Sequence, residues 1–97
     1  MKALQFHPEA AAELEFEAHF YNERVQGLGV RFVSQVEQAL QLMRAMPGIG
    51  TTYLADTRRV FPKDFPHSIV YREGDDKIIV YAIAPFKRKP GYWRNRV

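Results

Sequence analysis

Ninety-seven residues are enough for one domain with one core. The formal net charge is +3 and there is no cysteine, which excludes disulfides, Cys-ligated zinc and thiol catalysis. No apolar run reaches the roughly 18 residues of a membrane span, and no long apolar stretch follows Lys2, so the expected location is the cytoplasm. The charge is unevenly spread. Residues 1–50 carry six acids, all glutamate, against four cations, while residues 51–97 carry ten cations against five acids. Such a split suits an acidic or polyanionic partner for one face, or is simply a solvated basic surface.

Lys2 to His7 alternates and reads as an edge strand. Pro8 suits a first helical turn, and Glu9 and Glu13 favour the positive end of the helix dipole. From Pro8 to Arg24, Ala11, Leu14, Ala18, Tyr21 and Val25 recur at helical spacing. Phe16 and Phe20 lie on another side of the same helix. They pack on a neighbouring element or form a contact surface for a partner chain. Gly27 and Gly29 break the pattern. A second helix runs from Leu28 to Met46, with Phe32, Val33, Val36, Ala39, Leu40, Met43 and Met46 on one face, and Pro47-Gly48 stops it. The two helices form an antiparallel hairpin.

Ile49 to Ala55 suits a loop leading to a strand over Ala55–Phe61, with Pro62 near its end. Ser68–Glu73 and Lys77–Pro85 are the strongest strands, flanking a turn at Gly74-Asp75. Pairing Tyr71 with Ile78, or Arg72 with Ile78, are the two registers considered. The last strand is apolar almost throughout and should be central. The expected class is therefore α+β. An N-terminal strand and a helical hairpin cover one face of a small, mostly antiparallel four-stranded sheet, and the tail covers the other.

The tail holds Lys87, Arg88, Lys89, Arg94 and Arg96 with Tyr92 and Trp93 and no acid. The aromatic pair seals a core, or it stacks on a base or anchors a protein contact. No phosphate-cradling glycine loop or hydrolase motif occurs, and His7, His19 and His67 have no spaced metal partner. No metal, cofactor or catalytic residue is assigned. Arg72 and Arg88, at strand ends, with Lys87, Tyr81 and Tyr92, form one constellation able to meet a phosphate. It lacks a convincing base, the options being Glu73, Asp64 and His67. Ser68 and His67, adjacent on a strand, point to opposite faces and make no nucleophile–base pair.

Several stretches resemble the RelE/ParE superfamily of type II toxins. They are Phe6-His7-Pro8-Glu9-Ala10, Gly27-Leu28-Gly29 with Phe32, Arg59-Val60-Phe61-Pro62 with Phe65-Pro66, Ile69-Val70-Tyr71-Arg72, Ile78-Ile79-Val80-Tyr81-Ala82-Ile83, and Lys87 to Trp93. Arg88-Lys89-Pro90-Gly91-Tyr92-Trp93 points to the ParE-like branch. That resemblance implies a curved sheet with a helical hairpin. It also implies a toxin associated with inhibition of DNA gyrase, and a cognate antitoxin with an acidic, partly disordered segment, forming a hetero-oligomer with the toxin. The alternative it implies is a RelE-like ribosome-dependent mRNA endonuclease. Arg88 matches one RelE-like arginine, but Ser68 stands where the other would be, and Tyr92 is out of register with the catalytic tyrosine. The expected target-binding residues are Lys87, Arg88, Tyr92 and Trp93, with Arg59 and Arg72 as supporting cations. Phe16 and Phe20 are expected to meet the antitoxin.

Overall fold

A computed structural model describes residues 1–97. The elements are β1 (Ala3–Phe6), α1 (Pro8–Arg24), α2 (Leu28–Ala45), β2 (Thr51–Tyr53), β3 (Thr57–Val60), β4 (His67–Glu73) and β5 (Lys77–Pro85), with short 3₁₀ turns at Pro47–Ile49, Leu54–Asp56 and Arg94–Arg96. The sheet order is β1-β5-β4-β3-β2, with β1 parallel to β5 and the other pairs antiparallel. The sheet thus has five strands rather than the expected four. The extra one is β2, only three residues long and too short to show a period of two. The strand expected from Ala55 begins at Thr57 instead. Ala55 and Asp56 sit in the left-handed region (φ 55° and 58°) and turn the chain between β2 and β3.

The helices form where the sequence places them, and the connection explains its glycines. Gly27 takes φ 84°, open to glycine without a Cβ penalty. Gly29 touches α1 so closely that a Cβ there would lie 2.0 Å from the Ala18 carbonyl oxygen. Asn22 Oδ1 accepts from the Gly29 N–H at 2.7 Å, satisfying one of the free donors at the start of α2. The other end of the hairpin is anchored by His7, whose Nδ1 accepts from the Glu9 N–H at the start of α1.

One core lies between the helices and the sheet. Ala10 of α1 and Phe32, Val36, Leu40 and Met43 of α2 pack on Phe65, Ile69, Tyr71, Ile78, Val80 and Ile83. Ala11, expected on the buried stripe of α1, is exposed because the helix is rolled to bury Ala10, and Val25 is exposed because it lies past the helix end in extended backbone. A second, smaller cluster on the opposite face of the sheet joins Val70, Ala82 and Ala84 to Trp93.

The division of β5 between these faces depends on an irregularity. Val70 pairs with Ala82 and Tyr71 with Val80, leaving Tyr81 as an extra residue. The bulge reverses the alternation. Ile78 and Val80 face the helices before it, and Ile83 does so after it, while Ala82 and Ala84 turn to the tail. At the other end of the hairpin Glu73 pairs with Ile78, and the Gly74 N–H donates to the Lys77 carbonyl at 2.8 Å. The tip is therefore Asp75-Asp76, and neither considered register occurs.

Candidate functional site

The tail leaves β5 through a turn in which the Arg88 N–H donates to the Pro85 carbonyl, and Gly91 at φ 79° folds it back over the sheet. Trp93 is then 1% exposed, with its ring 5.9 Å from that of Tyr53. Burial of an indole this large on small side chains is the main apolar contact that seats the tail.

A polar anchor completes the seat. β1 ends opposite Val80, so the outer edge of β5 beyond that point has no strand beside it. Glu13 of α1 and Arg96 of the tail fill the gap. Glu13 accepts from the Ile83 N–H (3.0 Å), the Tyr92 hydroxyl (2.6 Å) and both terminal nitrogens of Arg96 (2.9 and 3.0 Å). Arg96 also donates to the Tyr81 carbonyl at 2.9 Å. The Arg96 side chain is 8% exposed, so this is a largely dehydrated, bidentate pair. Burial works against the charge of Arg96, but the Glu13 carboxylate outweighs it and raises its pKa. Burial, then Glu13, pushes the Tyr92 hydroxyl well above the usual phenol range, so Tyr92 is a neutral donor here.

The sequence-derived residues fall into distinct settings. Lys87 and Arg88 are exposed, and the Arg88 guanidinium lies 3.8 Å from the centre of the Tyr92 ring. Tyr92 is half-buried and Trp93 is in the core, so their part in a surface is to hold the tail in place. Arg59 of β3 stacks on Tyr53 (4.0 Å) and beside Phe61 (5.2 Å). Its Nε is buried and has no hydrogen-bond partner. Phe16 is 67% exposed. Phe20 lies edge-on to Tyr21, with Arg24 over its ring at 4.3 Å and Lys87 at 5.8 Å.

Arg72 and Arg88 do not form a constellation. β4 and β5 are antiparallel, so Arg72 sits opposite Ile79 near the hairpin tip while Arg88 follows Pro85 at the other end. Arg72 donates to the carbonyls of Ala55 and Asp56 and so holds the left-handed turn between β2 and β3. The suggested bases are also engaged elsewhere. Glu73 pairs with Lys2 and Asp64 with Arg31. His67 is 1% exposed beneath Tyr21 and Phe32, with Nε2 3.3 Å from a Glu17 oxygen but in no hydrogen-bond geometry. Burial lowers its pKa in spite of Glu17.

What the structure does bring together is Arg59, Arg88 and Lys89 around a groove of about 340 Å³. Its walls include Phe61 and Phe86, whose rings meet at 6.0 Å, and Ser68 and Ala84 line it from the sheet. No carboxylate or imidazole lines it. A second groove of about 460 Å³ runs along α1, where Phe16, Glu13 and Glu17 face Lys87 and Arg88. Arg88 borders both. Sequence reasoning missed Glu13, Phe61 and Phe86 as parts of this surface. Nothing in the sequence pointed to Glu13, because its partners Tyr92 and Arg96 lie 79 and 83 residues along the chain.

A family model described as ParE toxin of type II toxin-antitoxin system, parDE, matches residues 4–90. No curated protein sequence matches the chain. Among solved structures the chain is similar to the chromosomal ParDE TA system from P. aeruginosa, at 16% identity and a TM-score of 0.77, over 90% of this chain and 98% of that one. At that identity the likeness shows a shared fold. No helix is long and apolar enough to cross a membrane.

Proposed function

The chain belongs to the ParE toxin family of type II toxin–antitoxin systems, and on that premise we propose that it inhibits DNA gyrase through its tail surface and is neutralised by a cognate antitoxin. The observation that carries this reading is an exposed cationic surface, Lys87 and Arg88, on a tail that Trp93, Tyr92 and Arg96 hold rigidly. Neither Lys87 nor Arg88 has a carboxylate within salt-bridge distance. Cations kept unpaired on a fixed frame suit an anionic partner surface. Arg59 extends that surface, and Arg72 supports it by pinning the turn under the tail.

A non-enzymatic mode is favoured by the chemistry of the groove. It offers cations and rings but no group that would take a proton near neutral pH, and the Tyr92 hydroxyl is held neutral by burial and Glu13. For the antitoxin, the exposed Phe16 and the adjoining Phe20, bordered by Lys87 and Arg88, suit an acidic segment that orders on binding.

The test adds purified toxin to gyrase supercoiling of a plasmid and, in parallel, to translation with primer-extension mapping of the message. Lost supercoiling with an intact message, reversed by the antitoxin, is the expected result. Arg88→Ala should raise the inhibitory concentration about tenfold, a contact of about 1.4 kcal/mol. Ribosome-dependent cuts in the message with normal supercoiling would overturn the reading in favour of an endonuclease.

A further inference from the structure

The groove beside Arg59 has features that a purely protein-contacting surface does not require. Within the groove, β4 and β5 contribute Ser68 and Ala84, both small and opposite each other, with Pro85 beside them, while Val70 and Ala82 lie under Trp93. The sheet is therefore a low floor, and the walls rise on either side from β3 and from the tail. Arg59 is clamped on Tyr53, so its guanidinium is fixed in plane and orientation. It donates to no protein acceptor, and neither it, Arg88 nor Lys89 forms a salt bridge. Other arginines on this sheet are spent on carbonyls, Arg58 on Gly50 and Arg72 on Ala55 and Asp56. Beside the free guanidinium stand two phenyl rings, Phe61 (46% exposed) and Phe86 (58% exposed). Their edge-to-face contact leaves ring surface open to solvent.

We infer that this groove binds a single-stranded polynucleotide. A phosphodiester lies between Arg59 and Arg88, within reach of the Ser68 hydroxyl, and an adjacent unstacked base packs on Phe61 or Phe86. Alternation of donors for phosphate with apolar ring faces is the arrangement that holds a single strand without reading its sequence. A duplex hides its base faces and would use the cations alone. An acidic peptide would use the cations but has no flat ring of its own to match the two phenylalanines. The inference rests on the reading of Arg88 as a target-contact residue and names the chemistry that it meets.

The experiment is fluorescence anisotropy with the full-length toxin alone, so gyrase plays no part in it. The probes are labelled oligothymidylate and oligouridylate of about 8 nucleotides, a duplex of the same length and a glutamate-rich peptide. Binding to the single strands is expected to exceed that to the duplex or the peptide by about tenfold or more. The two single strands distinguish a DNA ligand from an RNA ligand. Arg59→Ala should weaken single-strand binding about tenfold and reduce the magnitude of its salt slope by about 0.7. Phe61→Ala should weaken it by about fivefold or more with an unchanged slope. Arg59→Lys, which keeps the charge and loses the fork, should fall between wild type and Arg59→Ala. Arg94→Ala, an exposed tail cation outside the groove, should bind as wild type. No binding, equal binding to the peptide or the duplex, or an Arg94→Ala loss as large as that of Arg59→Ala would each overturn the inference. Supercoiling inhibition, measured separately, could survive any of these.

Discussion

The helix face of the sheet is closed by α1 and α2 through eleven buried residues, with Phe32, Met43, Ile69, Tyr71 and Ile83 among them. The tail face is closed by Trp93 on three small side chains, with Tyr53 and Leu54 at the margin. Large interlocking side chains fill the interior of the first face, and its groove lies at the margin along α1. Small ones on the second leave a groove and an exposed cationic rim. Most of the buried apolar surface lies on one face, and the exposed cations of the tail lie beside the other. The two faces share β5, whose bulge at Tyr81 directs Ile83 to the helices and Ala82 and Ala84 to the tail.

The sharpest test of that division pairs one deletion from each face. Phe32→Ala removes a fully buried ring from the main core and should cost about 3–5 kcal/mol, lowering the denaturation midpoint of the whole domain. Trp93→Ala should instead release the tail. Hydrogen exchange should then quicken at the Ile83 amide, which Glu13 holds only within the tail anchor, while the amides between β3 and β4 stay protected. If both variants lose the same amides at the same denaturant concentration, the two faces form one cooperative unit and the distinction fails.

A smaller effect tests how the tail face is supported. Ala55 and Asp56 both carry positive φ, a strain of about 1 kcal/mol or more for each non-glycine residue, and Arg72 ties their carbonyls. The turn holds Leu54 and Ala55 against the Trp93 cluster. Arg72→Ala should cost about 2 kcal/mol and weaken the gyrase inhibition proposed above even though Arg72 is distant from Arg88. Adding Ala55→Gly, which relieves the strain, should restore about 1 kcal/mol and part of the inhibition. A loss of inhibition that glycine does not rescue would mean that Arg72 contacts the target itself.

These elements also show how far the chain could be read before its structure. The helices and β5 were legible because long runs of apolar residues at one period have few other solutions. The tail's role as cover for the second face followed from the absence of any other element to supply it. The turn at Ala55-Asp56 was not legible. Alanine does not signal a left-handed backbone and a single aspartate does so only weakly, and the tie that holds the turn comes from Arg72, sixteen and seventeen residues away. β2 was hidden for the same reason, because its three residues count as a strand only through their pairing with β3. The anchor at Glu13 joins residues 83 apart. The pairing of Arg72 with Arg88 failed on direction, since the end of one antiparallel strand lies beside the beginning of the next. Of the site itself, the cations were visible and the groove was not, because its depth comes from the bulge that aligns Ala84 with Ser68.

The mildest perturbation acts through His67, which belongs to the helix-face side of β4. Tyr21, Phe32 and Phe65 surround it or pack beside it. Glu17 is its nearest charged neighbour, and Lys87 is the cation whose field opposes its protonation. Burial is the largest influence, and it lowers the folded-state pKa below the ordinary value of 6.5. The sign follows directly. About a unit or more above pH 6.5 the imidazole is essentially neutral in both states and stability is at its plateau. As pH falls below that value the unfolded chain takes up the proton first, so stability drops until the lower folded-state pKa is passed. One proton limits the slope to about 1.4 kcal/mol per pH unit, or at most about 7 °C in Tm per pH unit for a domain of this size. Thermal melts between pH 7.5 and 5.5 should therefore show Tm falling with acidity, and His67→Gln should flatten the line. A wild-type Tm that holds steady or rises on acidification would mean that Glu17 stabilises the imidazolium more than burial opposes it. His67 would then be a charged link between α1 and β4.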